Sequence, residues 1–135
     1  MDKKRIDGSL KNAASALEDT GIAKNGKVTS SYRGQISSFG ASIAQGSILA
    51  AVAVYNGKKG AGVDTDRLMA AIYLLKHYED KNIEALKAKE PKENANALFE
   101  YVKANYPARS YAVKEEIMEY AMALKMAMNL FTLVK

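Results

Sequence analysis

Residues 32–55 read Tyr32-Arg-Gly-Gln-Ile-Ser-Ser-Phe-Gly-Ala-Ser-Ile-Ala-Gln-Gly-Ser-Ile-Leu-Ala-Ala-Val-Ala-Val-Tyr55, a stretch with no acidic residue and one charge, Arg33. In its first half Tyr32, Ile36, Phe39 and Ile43 recur at helical spacing, and Gln35, Ser38, Ser42 and Gln45 form a small polar stripe beside them. Its second half, Ile48 to Tyr55, is apolar on every side, so it must be wrapped by other helices or by a partner. Gln45-Gly46-Ser47 marks a break between the halves. The reading that follows is a helix on the rim of a bundle, leading into a helix that turns into the core.

Outward from this stretch the chain reads as helices separated by turn residues. Upstream, Ile6, Leu10, Ala13, Ala14 and Leu17 give a first helix over about Asp2–Asp19, stopped by Gly21. The loop Gly21–Val28 carries Asn25-Gly26, and Thr29 or Ser30 offers a cap for the helix that follows. Asn56-Gly57 suits a left-handed helix end, and Gly57–Val63 (GKKGAGV) reads as a flexible loop. Asp64 or Thr65 caps a helix with Leu68, Ala71, Ile72 and Leu75 inward. Between Tyr78 and Asn94 the chain is charged, with one short turn at Ile83 and Leu86. Asn94 or Ala95 begins the next helix, with Leu98, Phe99 and Val102 inward and Asn105-Tyr106-Pro107 at its end.

A last helix is expected from Ser110 to Val134 with two apolar faces. Val113, Ile117, Tyr120, Ala121, Leu124, Met128 and Phe131 make one, and Met118, Met122, Met126, Leu130 and Leu133 the other. The methionine face suits either core filling or an adaptable docking surface. Strand-like alternation is absent, so the expected fold is all-α. Residues 1–135 form one domain, a bundle of five to six helices with a long C-terminal helix. A chain of 135 residues buries roughly two-thirds of its unfolded surface, enough for one core.

Composition narrows the chemistry. Without cysteine there is no disulfide framework and no thiolate ligand or nucleophile, which suits a reducing cytoplasm. No leader-like apolar run opens the chain, and Ile48–Tyr55 falls far short of the ~20 residues of a membrane span. Gly21 to Lys27 fits the start of a phosphate loop, but Val28 stands where magnesium binding needs Ser or Thr, and a helix precedes it where the motif needs a strand. His77 is the single histidine, so neither a transition-metal site nor a histidine-based triad is expected. Glu115, Glu116 and Glu119 complement the helix dipole and are not read as an acid/base pair. No metal, cofactor, small-molecule substrate or catalytic residue is expected.

The net charge of +5 lies wholly in residues 1–63, which hold nine basic and four acidic residues, while residues 64–135 are neutral. From Thr20 to Val63 there are five cations and no acid: Lys24, Lys27, Arg33, Lys58 and Lys59. Such a segment suits either a polyanion such as nucleic acid or a solvated basic surface that keeps the protein soluble. These five are the candidate nucleic-acid contacts, made to the phosphate backbone and therefore independent of base sequence. Tyr32 could stack on a base, although its spacing fits a core position better.

Several stretches carry a resemblance. Tyr32-Arg33, Phe39-Gly40-Ala41, Ile43, Gln45-Gly46 and Leu49-Ala50-Ala51-Val52-Ala53-Val54-Tyr55 resemble the signature of the small helical subunit of type III-B (Cmr) CRISPR effector complexes. Tyr111, Glu115-Glu116-Ile117-Met118 and Met122-Ala123-Leu124-Lys125 are similar to that family's closing helix. The chain departs from the pattern at Gly40, Gln45, Ser47 and Leu124, where Pro, Asn, Leu and Trp are usual. The resemblance implies a non-catalytic subunit stacked in several copies along a ribonucleoprotein filament. Its partners would be the backbone and large Cmr subunits, copies of itself, guide RNA and target RNA. The alternative is a helical protein–protein adaptor that docks through its methionine-rich last helix and binds no nucleic acid.

Overall fold

The computed structural model describes residues 3–56, 59–60, 63–78 and 89–135, with backbone alone at 3–7, 59–60 and 63. In chain order the elements are α1 (Lys3–Asp19), β1 (Ala23–Lys24), β2 (Lys27–Thr29), α2 (Ser30–Gln45), α3 (Ile48–Tyr55), β3 (Lys59–Gly60), β4 (Val63–Asp64), α4 (Thr65–His77), α5 (Pro91–Ala104), α6 (Ser110–Met128) and β5 (Thr132–Val134). The protein is a helical bundle, as its periodicities require, with two small sheets added. The turn expected at Ile83 and Leu86 lies outside the described residues.

All four members of the α2 stripe, Tyr32, Ile36, Phe39 and Ile43, are buried. Phe39 meets Tyr55 edge-on at 5.1 Å between ring centroids, tying α2 to α3 across the Gly46-Ser47 break. Ser47 caps α3, its hydroxyl accepting from the Ala50 amide at 3.3 Å.

Of the two covers expected for α3, other helices or a partner, the helices of this chain supply one face only. Ile48, Ala51, Val52 and Tyr55 are buried, whereas Ala50, Ala53 and Val54 are exposed, Val54 at 59%. Alanines expose little apolar area, so a helix of this composition tolerates one face in water. The central helix is α4. Leu68 through Ile72, Leu74 and Leu75 are all buried, together with Thr65 and Asp66. Asp64 caps it, accepting from the Asp66 amide at 3.0 Å. The Thr65 hydroxyl donates to the Tyr55 carbonyl at 2.8 Å, satisfying an end group of α3. The cap residue Asn56 is extended (φ −75°, ψ 104°), and Gly57, the other residue of the expected left-handed end, lies outside the described residues.

Two other boundaries differ from expectation. α5 begins at Pro91, ahead of Asn94, because a proline at the first helical position lacks only an amide that the helix leaves unbonded. α6 ends at Met128, short of Val134. After a tight turn, Phe131 to Val134, aromatic and β-branched in most positions, suit a strand better than a helix. β5 pairs in parallel with β2 (Lys27 beside Thr132, Val28 beside Leu133, Thr29 beside Val134), and the Thr132 amide donates to the Gly26 carbonyl at 2.9 Å. β2 in turn pairs antiparallel with β1, giving the order β1-β2-β5. Because β2 runs straight into α2 and β5 follows α6 closely, this pairing sets the start of α2 beside the end of α6. The two helices therefore run antiparallel.

Gly21 lies at φ +79°, and a Cβ there would run into the Arg67 guanidinium. Gly21→Ala is expected to cost about 1–3 kcal/mol in urea unfolding, from left-handed strain and from displacing Arg67. Gly34→Ala on α2 is the counterpart. A Cβ at Gly34 meets nothing within 4 Å, and the alanine is expected to be neutral or stabilising by up to about 1 kcal/mol.

Candidate nucleic-acid interface

The clearest arrangement of cations is the β1–β2 hairpin. Asn25 (φ 53°) and Gly26 (φ 75°) both take positive φ, the geometry of a two-residue hairpin turn whose twist matches its strands. That turn sets Lys24 and Lys27 directly opposite one another. Both are exposed, and among the described residues neither forms an ion pair. Like charges at opposed positions repel, so nothing in the fold gains from this pairing. An anion bridging the two amines would relieve it. The glycine and lysine of the phosphate-loop look-alike thus belong to a β-hairpin, a different geometry from the strand–loop–helix cradle.

β2 leads into α2, whose first turn holds no acid, and the cap position Thr29 makes no side-chain hydrogen bond to it. The free amides of that turn carry partial positive charge next to Lys27. Arg33 is half-buried in the same turn, and its Nε is buried without a hydrogen-bond partner. Tyr32 is a core residue whose hydroxyl accepts from the Asp64 amide at 3.3 Å, so it does not offer a stacking face.

The second cationic loop is less defined. Lys58 lies outside the described residues. Lys59 is placed by its backbone alone, opposite Asp64 in the β3–β4 pairing. Arg67 is a cation that the sequence reading passed over. Its Nη1 donates to the Thr20 carbonyl at 2.8 Å and its Nε lies 3.7 Å from Asp64. Arg67 thereby ties the end of α1 and the base of the β1–β2 hairpin to the start of α4. The only sequence signal was its position next to the helix cap, in a stretch of balanced charge.

On the other helices, Glu116 does not sit in the first turn of α6. It accepts from the Tyr101 hydroxyl at 2.6 Å, the Tyr120 hydroxyl at 3.2 Å and Lys76 at 3.5 Å. Its role is to join α4, α5 and α6, in place of the dipole complement expected for it. His77 ends α4 against the Tyr73 ring, 4.6 Å between centroids. Among the described residues no three His, Asp or Glu side chains converge as metal ligands, and no helix is long and apolar enough to cross a membrane. Comparison with protein-family models, curated proteins and solved structures returns no match.

Proposed function

We propose that this chain is a non-catalytic, RNA-lining subunit of a ribonucleoprotein complex, of the kind its sequence resembles, the small subunit of type III-B (Cmr) CRISPR effectors in the cytoplasm. In that reading it stacks in several copies beside the backbone and large subunits and helps to hold guide and target RNA, while cleavage belongs to its neighbours. One observation carries the nucleic-acid part: Lys24 and Lys27 face each other at an exposed hairpin end with no acid between Thr20 and Val63. The uncapped, acid-free first turn of α2 supports it from the adjoining element.

Contacts of this kind release counterions, so affinity should fall steeply with salt. Fluorescence anisotropy with labelled single-stranded RNA over a salt series tests the reading. Lys24→Glu/Lys27→Glu is expected to weaken binding by at least about tenfold and to lower the salt slope by about one per lysine. Unchanged affinity and slope in the double variant would remove the hairpin from the interface. A second reading, a protein–protein adaptor, draws on Met118 and Met122, which line an open groove.

A further inference from the structure

Between α2 and α6 lies an open groove of about 210 Å³, walled by Ile36, Gly40 and Ala41 on one helix and by Met118, Met122 and Lys125 on the other. Gly40 has no evident use inside the fold. It is helical and does not take positive φ, and a Cβ there would meet nothing within 4 Å. An interior helix glycine is less stable than alanine, so leaving one here costs stability without any close approach inside the molecule to require it. The facing wall is made of methionines, whose unbranched thioethers adapt to whatever packs on them. Met118 and Met122 are half-buried against the core, and Met126, one turn beyond Met122, is exposed.

The character of the occupant follows from three features. Both walls are helices whose backbone amides and carbonyls are bonded internally, so the groove offers no edge to an extended strand but suits a third helix. α2 contains no acidic residue, and the antiparallel run of α2 and α6 brings Lys125 to the end of the groove where Arg33 begins α2. We infer that the α2–α6 groove docks an amphipathic helix of a partner protein, its apolar face on Gly40, Met118 and Met122 and a carboxylate beside Lys125. The inference does not depend on RNA binding, because it uses neither hairpin lysine.

The test uses the full chain and a display library of helix-forming peptides randomised over Ala, Leu, Glu and Lys. Enriched peptides are then synthesised and measured by anisotropy. Peptides with Leu or Ala at i, i+3, i+4 and i+7 and Glu beside that face are expected to emerge. Gly40→Leu, which fills the groove, and Lys125→Glu are each expected to weaken them by about tenfold or more. Lys125→Glu should in turn favour the same peptide with Glu replaced by Lys, a rescue that loss of folding cannot mimic. Circular dichroism of both variants should match the parent. Failure to enrich any peptide, enrichment of lysine-rich peptides by the parent protein, or binding untouched by Gly40→Leu and Lys125→Glu would each overturn the inference. So would a dimer in sedimentation that Gly40→Leu dissolves, since it would assign the groove to a second copy.

Discussion

Phe39→Ala is expected to remove about 3–5 kcal/mol, the range for truncating a fully buried phenylalanine. Phe39 is wholly inaccessible, and its ring makes the edge-on contact with Tyr55 that holds α2 against α3. Truncation leaves a cavity between two elements joined only by Gly46 and Ser47, and the lost ring pair adds to the transfer term. Since a domain of this size is stable by about 5–15 kcal/mol, the variant should unfold at much lower urea or be unfolded outright. Equilibrium denaturation followed by circular dichroism gives the value. Val54→Ala is the matched control, because Val54 is 59% exposed on the neighbouring helix. Its change should stay within about 0.5 kcal/mol. Equal losses at the two positions would mean that α3 is buried on the face assigned here to water.

That contrast shows which parts of the chain can be read locally. The α2 stripe is legible because its spacing alone fixes the buried face. α3 is not legible for the opposite reason: eight apolar residues carry no period, so sequence does not say which of them face water. Which helix is central is a tertiary property, and α4 takes that place because α1, α2, α3, α5 and α6 all pack on it. The short strands are hidden for a related reason. Asn25-Gly26 announces a turn, but strands of two and three residues are too short to show alternation. β5 is disguised because Phe131 and Leu133 continue the apolar faces of α6.

The candidate interface divides in the same way. Lys24 and Lys27 are visible as charge, but their opposition across the hairpin exists only once the register is known. Arg67 is missed because Asp64 and Asp66 beside it cancel its charge in any window count. Gly40 is unremarkable in a sequence that tolerates Gly34 in the same helix, and it gains meaning from the open methionine wall opposite. Pairwise juxtapositions that span the chain are what a single sequence does not carry.

Glu116 is such a case, and its removal is the other large expected effect. Lys76 comes from α4, Tyr101 from α5 and Tyr120 from α6, and all three donate to this one carboxylate. Lys76 also lies 4.3 Å from the centroid of the Tyr101 ring. Glu116→Ala removes the shared acceptor of three donors in a partly buried site and is expected to cost about 1–3 kcal/mol. Glu116→Gln keeps an acceptor and should cost less. The network leaves a second signature in Tyr101. Burial, and then the hydrogen bond to Glu116 and its charge, push the phenol up from 10.0 to about 12, while Arg109 pulls the other way. A raised value favours the uncharged phenol, so Tyr101 contributes stability fully below about pH 10 and loses it as pH rises through about 12. In an ultraviolet titration of tyrosinate, Tyr101 should ionise late, and Tyr101→Phe should remove that late component. Glu116→Ala should shift it back toward the ordinary range, though not fully, since burial is the largest cause. A late component that survives in Tyr101→Phe, or whose position Glu116→Ala does not shift at all, would show that this carboxylate does not hold the Tyr101 phenol.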